Sequence, residues 1–195
     1  MKNQSRRRPQ GFTLIELLVV ISIIVVLAAA GFAAGNAAIL KARKTTAQAT
    51  ATAIESAVNN FYTEYGSMPK SGDQDATVET DDIQFLNVLL GTEGTGTNVL
   101  NTRSIRFLSV KEGKGKKNGL IYNSGGTTVQ GLYDPWGGTY KVRLDLDYDE
   151  RLANVKPKAG AQVTLNGRRV AVWSDGQDGV TATGKATDDV KTWGN

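Results

Sequence analysis

Cysteine and histidine are both absent from the 195 residues. Without cysteine there is no disulfide, no zinc–thiolate centre and no thiol nucleophile. Without histidine the chain lacks the commonest general base at neutral pH and the commonest transition-metal ligand. An enzyme would have to work with carboxylates, Lys, Tyr or Ser, and no constellation of these stands out. The chain therefore reads as a non-enzyme. Proline is scarce at 4 residues and glycine plentiful at 22, which suits a loop-rich domain. Acidic residues are missing from the first fifteen positions, where Lys2, Arg6, Arg7 and Arg8 stand. Set those four aside, and the 23 basic side chains fall to 19, matching the 19 acidic ones. The net charge of +4 thus belongs to the N-terminus, where it reads as a membrane-topology signal and not as a nucleic-acid footprint. The one remaining basic cluster, Lys111-Glu112-Gly113-Lys114-Gly115-Lys116-Lys117, reads as a solvated loop.

What the chain has in abundance is an apolar run. Residues 12–40 are interrupted only by the polar side chains Thr13, Glu16, Ser22 and Asn36. A membrane-spanning helix needs about 20 such residues. Arg6, Arg7 and Arg8 precede the run and place it with its N-terminus cytoplasmic, although Lys41, Arg43 and Lys44 on the far side weaken the charge bias. A cleavable secretory signal is the alternative, with Ala28, Ala29 and Ala30 as a small-residue cleavage site. Such signals carry an apolar stretch of only about 7–15 residues. Glu16 also argues against it, because a carboxylate within a bilayer costs roughly a few kcal/mol and a disposable signal has no reason to carry one.

The stretch Gly11-Phe12-Thr13-Leu14-Ile15-Glu16-Leu17-Leu18-Val19-Val20-Ile21 resembles the processing site of type IV pilins and of the pseudopilins of type II secretion systems. The resemblance implies that a prepilin peptidase cuts after Gly11 and methylates the new amine of Phe12, and that Glu16 is the glutamate at the fifth mature position. Residues 1–11 are then a cleaved leader, 12–40 a transmembrane and filament-core helix, and 41–195 a periplasmic head. An α-amino group has a pKa near 8, so the Phe12 amine carries charge inside an apolar zone. It and Glu16 are each costly there if unpaired. The resemblance implies that Glu16 of one subunit neutralises the amine of its neighbour as helices leave the bilayer, the pair setting axial register.

Beyond the run, residues 41–65 contain neither Gly nor Pro. Ile54, Ala57, Val58, Phe61 and Tyr65 recur at helical spacing, Gly66 supplies a stop and Pro69 follows. One helix over residues 12–65 would be roughly 80 Å long. Its first half is apolar all round and its second on one stripe. Gly31 and Gly35 read either as close helix–helix contacts or as a local weakening. Residues 71–80 and 92–98 read as loops. Asp81 and Asp82 cap a short helix ending near Gly91, while residues 104–110 and 119–122 carry no assignment. Residues 139–146 alternate as a strand, and residues 162–165 and 168–173 flank Asn166-Gly167, the pattern of a tight hairpin. The fold class expected is α+β, a pilin fold: a long N-terminal helix, membrane-spanning in its first half, packed by its second half on a small antiparallel sheet. Asp134-Pro135-Trp136-Gly137-Gly138 resembles the turn that opens the sheet in major pseudopilins. Pro and Gly set the turn and Trp136 packs.

Two acidic clusters remain. In Asp145-Leu146-Asp147-Tyr148-Asp149 the positions where a calcium-binding EF-hand loop needs Gly and Glu hold Glu150 and Lys156. The motif fails, and alternation places its three aspartates on one solvated strand face. At the C-terminus, Ser174, Asp178 and Asp189 fall on the spacing of the calcium loop of major pseudopilins, with Asp188 as an added candidate. Calcium takes carboxylate, hydroxyl and carbonyl oxygens, so calcium is the cofactor this resemblance implies. Thr and Ala stand in the intervening loop where the family has several glycines.

The function these features imply is a structural subunit of a periplasmic pseudopilus of a type II secretion system, a helical homopolymer. Its partners would be minor pseudopilins, an inner-membrane assembly platform, the prepilin peptidase and the bacterial inner membrane. A type IV or competence pilin of a surface fibre is the alternative. Such pilins often staple their C-terminal region with a disulfide, which this chain cannot form. A membrane-tethered periplasmic enzyme is disfavoured by the missing histidine.

Overall fold

The computed structural model describes residues 12–155, 162–179 and 189–194; residues 30, 31, 33 and 34 are described by backbone alone. The chain divides into two units, Met1–Lys41 and Ala42–Asn195. The helix α1, Leu14–Tyr65, supplies most of the first unit and begins the second.

In the first unit the helix offers apolar side chains on all sides. Leu14, Ile15, Leu17, Leu18 and the Ile and Val residues that follow are exposed. Among the described residues no helix is long and apolar enough to cross a membrane. The described side chains of this stretch are interrupted at residues 30, 31, 33 and 34.

In the second unit α1 narrows to one stripe. Ala47, Ala51, Ile54, Ala57, Val58 and Phe61 are buried, as their spacing requires. They meet a four-stranded antiparallel sheet of β1 (Ala76–Glu79), β4 (Lys141–Leu144), β7 (Val170–Ser174) and β8 (Val190–Lys191), in that order. The core between helix and sheet takes Val78, Val142, Leu144, Val170 and Val172 from the strands. Gln48 Nε2 on the helix donates to the Lys191 carbonyl at 3.0 Å, tying the last strand to α1.

The short helix α2 (Ile83–Leu90) is bounded as its sequence dictates. Asp82 accepts from the N–H groups of Gln84 and Phe85, and Gly91 at φ 71° closes the C-terminus in the left-handed region. Leu86 and Leu89 of α2 join the main core. Two further antiparallel pairs complete the unit: β2 (Gly119–Tyr122) with β3 (Val129–Tyr133), and β5 (Arg151–Val155) with β6 (Val163–Asn166).

Strand β7 is buried along its whole length. Val170 and Val172 face the helix side. Ala171 and Trp173 face a second cluster with Leu152, Val155 and Trp193, where the rings of Trp173 and Trp193 meet edge-on at 6.0 Å. This two-sided burial corrects the expected hairpin across Asn166-Gly167. Strand β6 pairs with β5, not with β7. Gly167, at φ 69°, and Arg168 both donate their N–H to the Glu150 carbonyl, so the chain turns there and crosses into the main sheet. The reading of residues 71–80 as loop is corrected as well, because residues 76–79 form the edge strand β1. The basic cluster at 111–117 is a largely exposed loop, as expected.

The junction of α1, α2 and the following loop rests on Asn101, which is buried. Its Nδ2 donates to the carbonyls of Val88 (2.7 Å) and Ile105 (2.6 Å), and its Oδ1 accepts from Tyr65 Oη (2.8 Å) and the Ile105 N–H (2.9 Å). All four bonding positions of the amide are used. Asn101→Ala strands these partners, at about 1–3 kcal/mol for each buried group left unsatisfied. Urea unfolding should show a loss of at least about 3 kcal/mol on that basis; an unchanged midpoint would contradict the assignment.

Candidate functional site

The N-terminal motif opens on a helix cap. Thr13 Oγ1 accepts from the Glu16 N–H at 3.3 Å, while Glu16 Oε2 accepts from the Thr13 N–H (2.8 Å) and from Thr13 Oγ1 (2.7 Å). With the helix beginning at Leu14, this is a reciprocal capping box, in which a Thr and a Glu three residues apart satisfy each other's end of the helix. The Thr-x-x-Glu signal stands in the sequence, but the processing motif overlaps it and drew the reading instead. Phe12 precedes the helix and is exposed, 80% accessible. Gly11 lies outside the described residues. In the uncleaved chain Glu16 is thus bonded within its own subunit, and Phe12 still has a peptide bond where the mature amine would be.

At the C-terminal end, Ser174 closes β7 opposite Val190 of β8. Asp178 is exposed in the turn that follows β7, and Asp189 is half-buried immediately before β8. Strand pairing brings the two ends of segment 175–189 to the same end of the sheet. Asp188 and residues 180–187 lie outside the described residues. The Ser174 hydroxyl is engaged elsewhere: it is wholly buried, donates to Asp134 Oδ2 at 2.5 Å and accepts from the Gly176 N–H at 3.2 Å.

Asp134 is therefore more than a turn residue. Its Oδ1 accepts from the N–H groups of Trp136 (2.8 Å), Gly137 (2.7 Å) and Gly138 (2.9 Å), while Oδ2 takes Ser174. One buried carboxylate holds the turn before β4 to the end of β7. Sequence reasoning credited Pro135 and the glycines and overlooked the aspartate, although Asp two residues ahead of a free N–H is the usual Asx-turn signal.

The second acidic cluster departs most from expectation. Asp145 does not lie on a solvated strand face. Strand β4 ends at Leu144, and Asp145 is wholly buried, while Asp147 and Asp149 are exposed. One carboxylate oxygen from each of Asp75, Asp145 and Asp147 lies within 4.8 Å of the others. Burial pushes the Asp145 carboxyl up, and the facing Asp147 carboxyl adds to the effect. Burial likewise raises Asp75, against the Ala153 N–H and Arg143, which lower it.

Residues 6–32 match the family model of the prokaryotic N-terminal methylation motif. No curated protein and no solved structure matches the chain. The chain carries a type IV pilin-like prepilin signal, which implies cleavage by a prepilin peptidase and pilin-like polymerisation.

The Ser174–Asp134 bond is the testable feature of the C-terminal geometry. Ser174→Ala leaves Asp134 Oδ2 and the Gly176 N–H without their partner, and hydrogen bonds to charged groups contribute about 1.5–3 kcal/mol. Chemical denaturation of the full chain in detergent should show a loss in that range. A variant as stable as the parent would leave the bond without energetic weight.

Proposed function

We propose that the mature chain begins at Phe12, is anchored in the bacterial inner membrane by residues 12–40 with its head in the periplasm, and polymerises into the pseudopilus of a type II secretion system. The observation that carries this reading is the methylation motif over residues 6–32, most of which lies on a helix with exposed apolar side chains. Exposed apolar surface on that scale marks a membrane or partner interface. The sequence run of residues 12–40 exceeds the length a bilayer requires.

After cleavage, the Phe12 amine and Glu16 stand one helical turn apart. In an apolar filament core each charge needs a counter-charge, and Glu16 of one subunit supplies it to the amine of the next. Forming that pair draws Glu16 away from its cap on Thr13, so assembly exchanges an intramolecular bond for an intersubunit one. Calcium belongs to the same reading, with Asp178 and Asp189 bracketing a loop whose ends the β7–β8 pairing brings together. A type IV or competence pilin shares the N-terminal motif and is the second reading. The lack of cysteine favours the first.

Three measurements test this. Mass spectrometry of protein from its native host should find a methylated Phe12 terminus; a terminus near Ala34 would mean a secretory signal. Loss of the gene should strand secreted enzymes in the periplasm; normal secretion with loss of surface fibres would favour the second reading. Glu16→Gln separates charge from cap, since Gln also serves in a capping box. It should insert normally yet give no intersubunit crosslinks in cells. Parental filament yield from it would refute the charge pairing.

A further inference from the structure

Strands β1 and β4 pair with Ala76 opposite Leu144 and Val78 opposite Val142. One step beyond, the same register sets Asp75 opposite Asp145. Like charges directly across an antiparallel pair are destabilising, and here one of the two is wholly buried. Asp147 brings a third carboxylate into the same group.

Among the described residues, donors reach one oxygen of Asp75 and one of Asp145. Asp75 Oδ2 accepts from the Ala153 N–H at 3.0 Å and faces Arg143 Nη2 at 3.6 Å. Asp145 Oδ2 accepts from the Glu150 N–H at 3.0 Å. Asp75 Oδ1 and Asp145 Oδ1 are buried and have no hydrogen-bond partner among the described residues. Against three carboxylates the described residues set one guanidinium, that of Arg143, a surplus of negative charge among them. A buried oxygen without a donor is costly, and a charged one more so.

We infer that Asp75, Asp145 and Asp147 form a calcium-binding site, separate from the C-terminal loop and independent of the filament reading. The donors are all oxygens, which selects a hard cation over a thiophilic or imidazole-seeking metal. Calcium binds oxygen at about 2.3–2.6 Å, so two ligands on opposite sides of it reach about 4.6–5.2 Å apart. Magnesium, at about 2.0–2.1 Å, spans only about 4.2 Å and holds its water more tightly. Ligand oxygens that all lie within 4.8 Å of one another fall within the reach of a single calcium ion. Water completes the six to eight oxygens that calcium takes, entering beside the exposed Asp147.

The site also explains how a loop is held. Asp75 lies at the end of the edge strand, and Asp145 and Asp147 in the turn that leads to β5. A cation bridging them fastens the β1 edge to the β4–β5 turn, where the protein supplies one Arg143 contact and two backbone N–H groups.

The test uses the full chain in detergent, stripped with chelator, in an Asp178→Ala/Asp189→Ala background that removes the C-terminal candidate ligands. Equilibrium dialysis should still find bound calcium. Calcium at a hundredfold excess over its Kd should raise Tm by about 5–10 °C, and magnesium at the same concentration by much less. Adding Asp147→Ala, an exposed position that does not threaten folding, or Asp145→Asn, which keeps the side chain's shape, should abolish both effects. Loss of all calcium binding in the background variant would overturn the proposal. So would retention of the full response after Asp147→Ala. So would an Asp145→Asn chain that melts higher than its parent in chelator while the parent ignores calcium, the signature of a shared proton and not a cation.

Discussion

The head depends on the burial of one strand on both faces. Strand β7 sends Val170 and Val172 to the helix and Ala171 and Trp173 to the opposite side, so neither face of that strand can be left to water. The α1 stripe from Ala47 to Phe61 covers one. The β5–β6 pair, with Trp193, covers the other. That second layer is why β6 cannot be the hairpin partner of β7. A strand needed as cover for a face cannot also extend the sheet beside it.

Polar groups follow the same division. Inside the sheet, Asp134 joins the turn before β4 to the end of β7, and Asn101 joins the ends of both helices. Each is buried and each has its oxygens engaged. Satisfied polar nodes of this kind fix where segments meet, which apolar packing alone leaves loose. At the outer layer Arg168 reaches both Glu55 on α1 and the Thr192 carbonyl. The C-terminal segment is thereby tied to the helix by side chains as well as through Gln48. Asp145, buried, and Asp75, half-buried, are the exception, with half their oxygens unengaged among the described residues.

What was legible in the sequence was local. The α1 stripe, the Asp82 cap and the Gly91 stop each follow from residues within a turn or two of one another, and each stands in the structure. Residues 11–21 carry the motif directly, because a processing signal is read by an enzyme from the chain itself. The failures share a cause in partners distant along the chain. Strand β1 looks like a loop until β4 pairs with it. Strand β5 hides behind Asn154, whose φ of 56° accompanies a break in its register. At Asn166-Gly167 the turn chemistry was right, since Gly167 has positive φ. The acceptor, Glu150, lies well back in the sequence, and no dipeptide signal names it. The aspartates of residues 145–149 were judged by a contiguous-loop template, which cannot see Asp75.

The opposition of Asp75 and Asp145 cannot be relieved by moving the strand. Because side chains alternate along β1, a slip of one residue would take Val78 out of the core and put Thr77 in its place. Burying a Val side chain contributes about 1.5–3 kcal/mol, and the slip would add the cost of a buried hydroxyl. A slip of two residues would restore the alternation but carry Asp75 to a position opposite Arg143 and withdraw the strand from the Tyr140 and Leu132 carbonyls that bond Thr80. Hydrophobic register therefore decides where the carboxylates stand, and electrostatics must be met in place. Replacing one of them with a neutral residue would be a simple remedy for a chain selected on stability alone. Two opposed acids, with a third beside them and only Arg143 in answer among the described residues, make physical sense as a site that a cation completes.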